Sequence, residues 1–270
     1  MTSSPSGRPS TSTADRLEPK RAAVVGGARG IGLGIVEELT RTPWISEVVV
    51  GDVDSEAAEA AAAANQGERT ACRAAAVDVT DAASLDDFAH ACGDVDHLVV
   101  VAGIFDSGDS LTFERAAFER VLAVNLVGSF FCAQKFAQQM ANRGRGSIVG
   151  IASIAARMPR FKQAAYAASK AGMRQSYRVL GLELAPLGVR VNTVSPGPTD
   201  TEMMRRMAKD HPSVDDLAAG SPEAFRPPIP RGVVGRPHEI AAAVRFLLSP
   251  EASHITLTDL VVDGGELLGM

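Results

Sequence analysis

Seven short runs rich in β-branched residues alternate with longer alanine-rich stretches, and this alternation limits the chain most. The runs fall near Ala22–Val25, Glu47–Val50, Arg73–Val77, His97–Val101, Ser147–Ile151, Arg190–Val194 and Asp259–Val262. Helix-length stretches separate most of them, near Gly32–Arg41, Ser55–Asn65, Asp81–Cys92, Phe113–Arg143, Gln163–Leu187 and Pro237–Leu248. Strands that alternate with helices predict a parallel sheet with crossover helices. The expected fold is α/β: a single Rossmann-type doubly wound domain over residues 20–270, with a seven-stranded parallel sheet flanked by helices. Residues 1–19 are rich in Ser, Thr and Pro and read as a disordered tail without the apolar core of a signal peptide.

One stretch breaks the rhythm. Residues 199–231 are polar and rich in Pro and Met, with weak helical periodicity at Glu202–Lys209. They follow a strand and so lie over the carboxyl end of the sheet, where such folds bind ligands. A substrate lid is expected there.

The bulk composition excludes several classes. The chain has 270 residues, 46% hydrophobic and 22% charged, with a net charge of −5. That balance favours neither nucleic acid nor an anionic membrane as partner. No apolar run approaches a membrane span, and a cytoplasmic protein is expected. Cys72, Cys92 and Cys132 have no paired spacing and read as structural thiols. The histidines at 90, 97, 211, 238 and 254 form no metal-ligand pattern.

Two sets of residues point to redox chemistry. Val24-Val-Gly-Gly-Ala-Arg-Gly-Ile-Gly32 follows the first strand and opens the first helix. Gly26, Gly30 and Gly32 there permit a tight turn and close backbone approach, so that the helix N-terminus faces a pyrophosphate. Asp52 ends the second strand, where a carboxylate accepts hydrogen bonds from ribose hydroxyls. Asp78 ends the third, placed to meet an adenine amino group or to cap the next helix. Arg29 pulls the other way, since a cation in the glycine loop suits a 2′-phosphate. Two charges about 4 Å apart near a surface interact by roughly 4 kcal/mol, so the nearer group decides. Asp52 is expected at the ribose and Arg29 in solvent, which predicts NAD over NADP.

The second set is Tyr166-Ala-Ala-Ser-Lys170, with Ser153 upstream. Residues four apart share a helix face. An ammonium beside a phenol lowers its pKa, and a serine hydroxyl holds the reacting oxygen against it.

With these residues the chain resembles the short-chain dehydrogenases/reductases from about Lys20 to Met270. The ordered matches are Gly26/Gly30/Gly32, Asp52, Asp78, Ala102-Gly103, Asn125, Ser153, Tyr166/Lys170 and Pro196-Gly197. The resemblance implies Tyr166 as general acid/base. Lys170 would hold the nicotinamide ribose and depress the Tyr166 pKa. Ser153 would bind the reacting oxygen, and Asn125 would position Lys170. It implies cofactor contacts at Arg29, Ile31, Val79, Ala102, Gly103, Pro196, Gly197, Thr199 and Thr201, with Thr201 on the carboxamide or capping the next helix. A homotetramer is the family's common assembly. Two departures appear: Val25 replaces the usual Thr before Gly26, and Val100 replaces the usual Asn of the fourth strand.

The C-terminal third is similar to a narrower branch, the 2,3-dihydro-2,3-dihydroxybenzoate dehydrogenases. Met158-Pro-Arg160, Phe225 with Ile229-Pro230, and Ser253-His-Ile-Thr-Leu257 carry that likeness. It implies NAD-linked oxidation of an isochorismate-derived cyclohexadiene carboxylate, in siderophore or antibiotic biosynthesis. Such a substrate needs a cation. Arg160 is the first candidate and Arg157 the second, because a guanidinium matches a carboxylate bidentately. The amino analogue 2,3-dihydro-3-hydroxyanthranilate, with Asp106 or Asp109 near its amino group, and a broader 3-oxoacyl-type ketoreductase remain alternatives.

Overall fold

A computed structural model describes residues 18–207 and 213–270. Most of the expected tail (residues 1–17), together with Lys209 and His211, lies outside them. Seven strands form one sheet in the order β3-β2-β1-β4-β5-β6-β7, every neighbouring pair parallel. They are β1 (Lys20–Val25), β2 (Ile45–Asp52), β3 (Ala71–Ala76), β4 (His97–Val100), β5 (Gly146–Ile151), β6 (Val189–Pro196) and β7 (Asp259–Val262). The order reverses between β1 and β4. That switch point opens a crevice at the carboxyl ends, bounded by the loops after β1 and β4.

Helices cover both faces, which explains why the strands read as nearly continuous apolar runs. On one face α1 (Gly30–Arg41), α2 (Ser55–Ala64) and α8 (Pro237–Leu248) set Ile35, Leu39, Ala58, Ile240 and Leu247 against Ala22, Val24, Val99 and Val149. On the other, α3 (Ala82–Cys92), α5 (Ser129–Arg143) and α6 (Ala164–Leu184) set Phe88, Phe136, Met140 and Tyr177 against Ala23, Val25, Leu98, Val100 and Ile148. Adjacent residues of one strand thus enter opposite cores, as the two-residue period requires. Val25 and Val100 are fully buried, so apolar packing stands where the family's usual polar side chains would bond.

The expected long helix at Phe113–Arg143 is interrupted. α4 (Arg115–Leu122) passes through a π-helical turn, Ala123–Gly128, into α5. Arg115–Arg143 is long and apolar enough to cross a membrane, with a mean hydropathy of 1.4 over its most apolar stretch. This corrects the expectation that no apolar run approaches a membrane span. The segment's buried side, including Cys132, Phe136 and Met140, packs into the domain core.

The stretch after β6 is more ordered than a polar insertion suggests. It holds α7 (Glu202–Met207), two 3₁₀ turns at Val214–Ala219 and Pro222–Ala224, and a small core of Leu217, Ala218, Ile229 and Val234.

Candidate active site

The glycine loop is shaped by two close approaches. Gly26 has φ 81°, and a Cβ there would lie 2.5 Å from the Ala102 nitrogen on the neighbouring strand's loop. At Gly32 a Cβ would lie 1.9 Å from the Gly26 oxygen. Only glycine lets the first turn of α1 fold back on the loop that precedes it. Ile31 packs against the α1/α8 core. A Cβ on Gly30 would sit 3.3 Å from the Thr201 methyl, so the segment after β6 closes against this loop.

Asp52 stands at the end of β2. Its carboxylate accepts hydrogen bonds from the Ala28 and Asp54 backbone N–H groups, both at 3.2 Å. Arg29 is exposed, as expected, and there it pairs with Asp54. Asp78 accepts from the Thr80 hydroxyl at 2.7 Å and the Thr80 N–H at 2.8 Å, which hold its carboxyl below the usual range. The cap of α3 is Asp81, not Asp78. Val79 is buried against the π-helical turn: a Cβ on Gly128 would meet its carbonyl at 2.6 Å.

Beyond β4, Ala102 and Gly103 lead into Ile104, whose N–H and carbonyl are both bonded by the Asn125 amide, at 2.8 and 2.9 Å. The π-helical turn holds the fully buried Asn125 side chain in reach of that loop. Its Nδ2 also donates to Ser169 Oγ at 3.1 Å, and Ser169 donates to the Tyr166 carbonyl at 2.7 Å. Asn125 therefore joins the β4 loop to the catalytic helix. No direct Asn125–Lys170 hydrogen bond forms; a Cβ on Gly103 would lie 3.3 Å from both Asn125 Oδ1 and Lys170 Nζ, so both groups border the same loop glycine.

Ser153 follows β5 in extended backbone, its Oγ accepting from the Ala155 N–H at 3.1 Å. The same hydroxyl stands beside the Tyr166 phenol and favours its ionised form. Tyr166 and Lys170 share one face of α6, with Nζ 5.9 Å from the phenol ring centroid. Lys170 Nζ donates to the Ile151 carbonyl at 2.7 Å. The Phe105 ring meets the Tyr166 ring edge-on at 5.1 Å.

Electrostatics correct one expectation. Burial raises the Tyr166 pKa, and the Ser153 hydroxyl offsets it only in part. Burial also brings the Lys170 ammonium down to about 8. Desolvation disfavours both charged forms, so in this arrangement the pair favours neutral phenol.

On the substrate side Arg157 is committed to structure. It donates to Asp259 Oδ2 at 2.8 Å, the Asp259 carbonyl at 3.2 Å and the Met270 carbonyl at 3.0 Å. It ties β7 to the C-terminus and is not a free carboxylate ligand. Arg160 also meets an internal carboxylate: Nη2 lies 2.9 Å from Glu266 Oε1, while Nη1 is buried without a partner. Asp106 pairs with Arg120 at 2.8 Å, and Asp109 accepts from the Leu111 N–H at 2.9 Å. Both are engaged in local structure rather than presented to an amino substituent. Thr201 Oγ accepts from the Met204 N–H at 3.2 Å and so caps α7, and the buried Thr199 donates to the Gly197 carbonyl at 3.0 Å. Gly197 packs on Asp263, 2.8 Å from where its Cβ would be.

Sequence reasoning missed Asp54, Ser169 and Glu266. Ser169 lies inside the Tyr–Lys spacing and Asp54 two residues beyond Asp52, so both had a local signal. Glu266 had none, since its partner is far away in the chain.

The glycine cradle, the anchored Asp52 and the Ser–Tyr–Lys cluster at the switch point fit a nicotinamide dinucleotide and alcohol–carbonyl redox chemistry. A family model described as "Enoyl-(Acyl carrier protein) reductase" matches residues 26–266. The chain belongs to the short-chain dehydrogenase/reductase family. It is 35% identical to the 2,3-dihydro-2,3-dihydroxybenzoate dehydrogenase of Bacillus subtilis (strain 168), over 94% of this chain and 98% of that protein. It is 39% identical to the D-threitol dehydrogenase of Mycolicibacterium smegmatis (strain ATCC 700084 / mc(2)155), over 93% and 94%. A solved structure titled "short chain dehydrogenase/reductase family protein" superposes with a TM-score of 0.81 at 35% identity, covering 92% of this chain and 97% of that one.

Proposed function

We propose that this chain is an NAD-dependent dehydrogenase that oxidises 2,3-dihydro-2,3-dihydroxybenzoate to 2,3-dihydroxybenzoate, in siderophore or secondary-metabolite biosynthesis. The observation that carries the reaction class is Tyr166 with Lys170 Nζ 5.9 Å from its ring and the Ser153 hydroxyl beside it, favouring its ionised form. The substrate class rests on the Bacillus relative and on Arg160, whose buried Nη1 has no partner. A buried donor without an acceptor is costly, and a substrate carboxylate satisfies it.

In this reading Ser153 holds the C3 hydroxyl and Tyr166, once deprotonated to phenolate, takes its proton. The chemistry a bound nicotinamide cofactor would supply is acceptance of the C3 hydride. The resulting ketone tautomerises to a phenol, and aromatisation drives the reaction forward. Gly26, Gly30 and Gly32 would receive the pyrophosphate, Asp52 the adenosine ribose and Lys170 the nicotinamide ribose. The 199–231 segment would cover the substrate.

We further infer a cytoplasmic homotetramer. Val127 and Phe131 along the α4–α5 helix, and Val179 and Leu182 on α6, are exposed apolar side chains suited to a helix-bundle interface. Three free, buried cysteines accord with a reducing compartment.

The test is NADH formation with the dihydroxy cyclohexadiene acid, its amino analogue, D-threitol and a 3-hydroxyacyl thioester. The dihydroxy acid should give the highest kcat/KM. A higher value with any other would overturn the substrate assignment. Arg160→Ala should raise KM for the carboxylated diol far more than for a neutral alcohol, and equal effects would remove Arg160 from the site.

A further inference from the structure

The end of β2 carries two carboxylates, not one. Asp52 is fixed by the Ala28 and Asp54 N–H groups. Asp54, two residues on, caps α2: its Oδ1 accepts from the Ala57 N–H at 3.1 Å. Its other oxygen pairs with Arg29 Nη2. Arg29 is the residue immediately before α1, in the glycine loop. A cation there is the group a 2′-phosphate would seek, and here an internal carboxylate already holds it.

We propose that Asp54 is a second determinant of cofactor choice, excluding a 2′-phosphate by holding Arg29 in an internal ion pair. The inference rests on the NAD reading above and assigns part of that preference to a residue other than Asp52. A 2′-phosphate entering this corner would meet two carboxylates and one guanidinium that one of them already neutralises. The ribose hydroxyls of NAD need only an acceptor, which Asp52 supplies. The ion pair also acts from the solvent side: the Arg29 and Asp54 side chains are 59% and 38% exposed. Its influence is therefore screened by salt, unlike that of a buried pair. Mutual attraction keeps both charged, with Asp54 held below the usual carboxylate range by the Ala57 N–H and by Arg29.

Asparagine caps helices as well as aspartate does, so Asp54→Asn removes the charge and keeps the cap. The wild type, Asp54→Asn and Asp54→Asn/Arg29→Ala are titrated with NADH and NADPH by nicotinamide fluorescence. Adenosine 5′-monophosphate and adenosine 2′,5′-bisphosphate are titrated by calorimetry, which needs no turnover. Asp54→Asn should tighten NADPH and the bisphosphate about fivefold, with NADH and the monophosphate nearly unchanged. Arg29→Ala in that background should erase the gain, and high salt should shrink it. A wild-type preference for NADPH would overturn the NAD reading and the inference with it. A wild-type preference for NADH with an unchanged ratio in Asp54→Asn, or a gain that survives Arg29→Ala, would overturn the inference alone.

Discussion

The two ends of the sheet are built to opposite rules. At the amino ends of β1–β3, charges are paired face to face. Glu47 accepts from Arg21 Nε and Arg73 Nε, each at 2.5 Å, and the Arg21 and Arg73 guanidiniums also reach carbonyls at the end of α3. At the carboxyl end, Lys170 is buried and Tyr166 partly buried, neither with a carboxylate partner, so desolvation makes both charged forms costly. One end spends its polar groups on holding strands together. The other keeps polar groups whose protonation can change, as a site for proton transfer requires. The comparison predicts that variants at the carboxyl end change rate and those at the amino end change stability.

Tyr166→Phe tests this most strongly. It removes the proton acceptor and keeps the ring against Phe105. The rate constant should fall by about 10²–10⁴-fold, with the melting temperature nearly unchanged and the cofactor still bound. Loss of fold along with activity would break the distinction. Glu47→Gln is the counterpart at the other end. It leaves two guanidiniums facing each other across one neutral amide. Unfolding by urea should show a loss of about 1–2 kcal/mol, with kcat and KM unchanged. A change in kcat of comparable free energy would show that the two ends are coupled through the strands.

The ends also differ in how far the sequence discloses them. All seven strands were legible, because a two-sided parallel sheet demands apolar residues at nearly every strand position and helices demand a different period. Gly26, Gly30 and Gly32 were legible because each meets a local steric demand. Tyr166, Lys170 and Ser153 were legible through helical spacing. Part of what stayed hidden depended on partners distant in sequence. Arg157 looked like a substrate ligand until Asp259 and the C-terminal carbonyl took it up, and Arg160 gave no hint of Glu266. The π-helical turn at Ala123–Gly128 was hidden too, since its apolar pattern differs little from that of the α-helix on either side. Lys170 beside Tyr166 suggested a lowered phenol pKa. Spacing reports proximity, however, and desolvation depends on everything else packed around the pair.

The smallest expected effect at neutral pH is also at the amino end. His97 begins β4, its ring edge-on to Trp44 at 5.3 Å, with both ring nitrogens buried and unpartnered. Burial, opposed by Asp96 and aided by Arg190 and Lys20, lowers its pKa to about 3. The unfolded chain takes up this proton near 6.5, while the folded chain resists it until about pH 3. Between those values the unfolded state binds more protons, so His97 contributes a stability that is fully present above pH 6.5 and is lost as the pH falls. The slope is about 1.4 kcal/mol per pH unit at most. His97→Phe keeps an aromatic ring against Trp44 and removes the titration. Its urea-unfolding free energy should match the wild type at neutral pH within packing error and fall less steeply between pH 6 and pH 4. Parallel acid limbs for the two proteins would assign that loss to carboxylates such as Glu47, whose pairing with two arginines also fails as it is protonated.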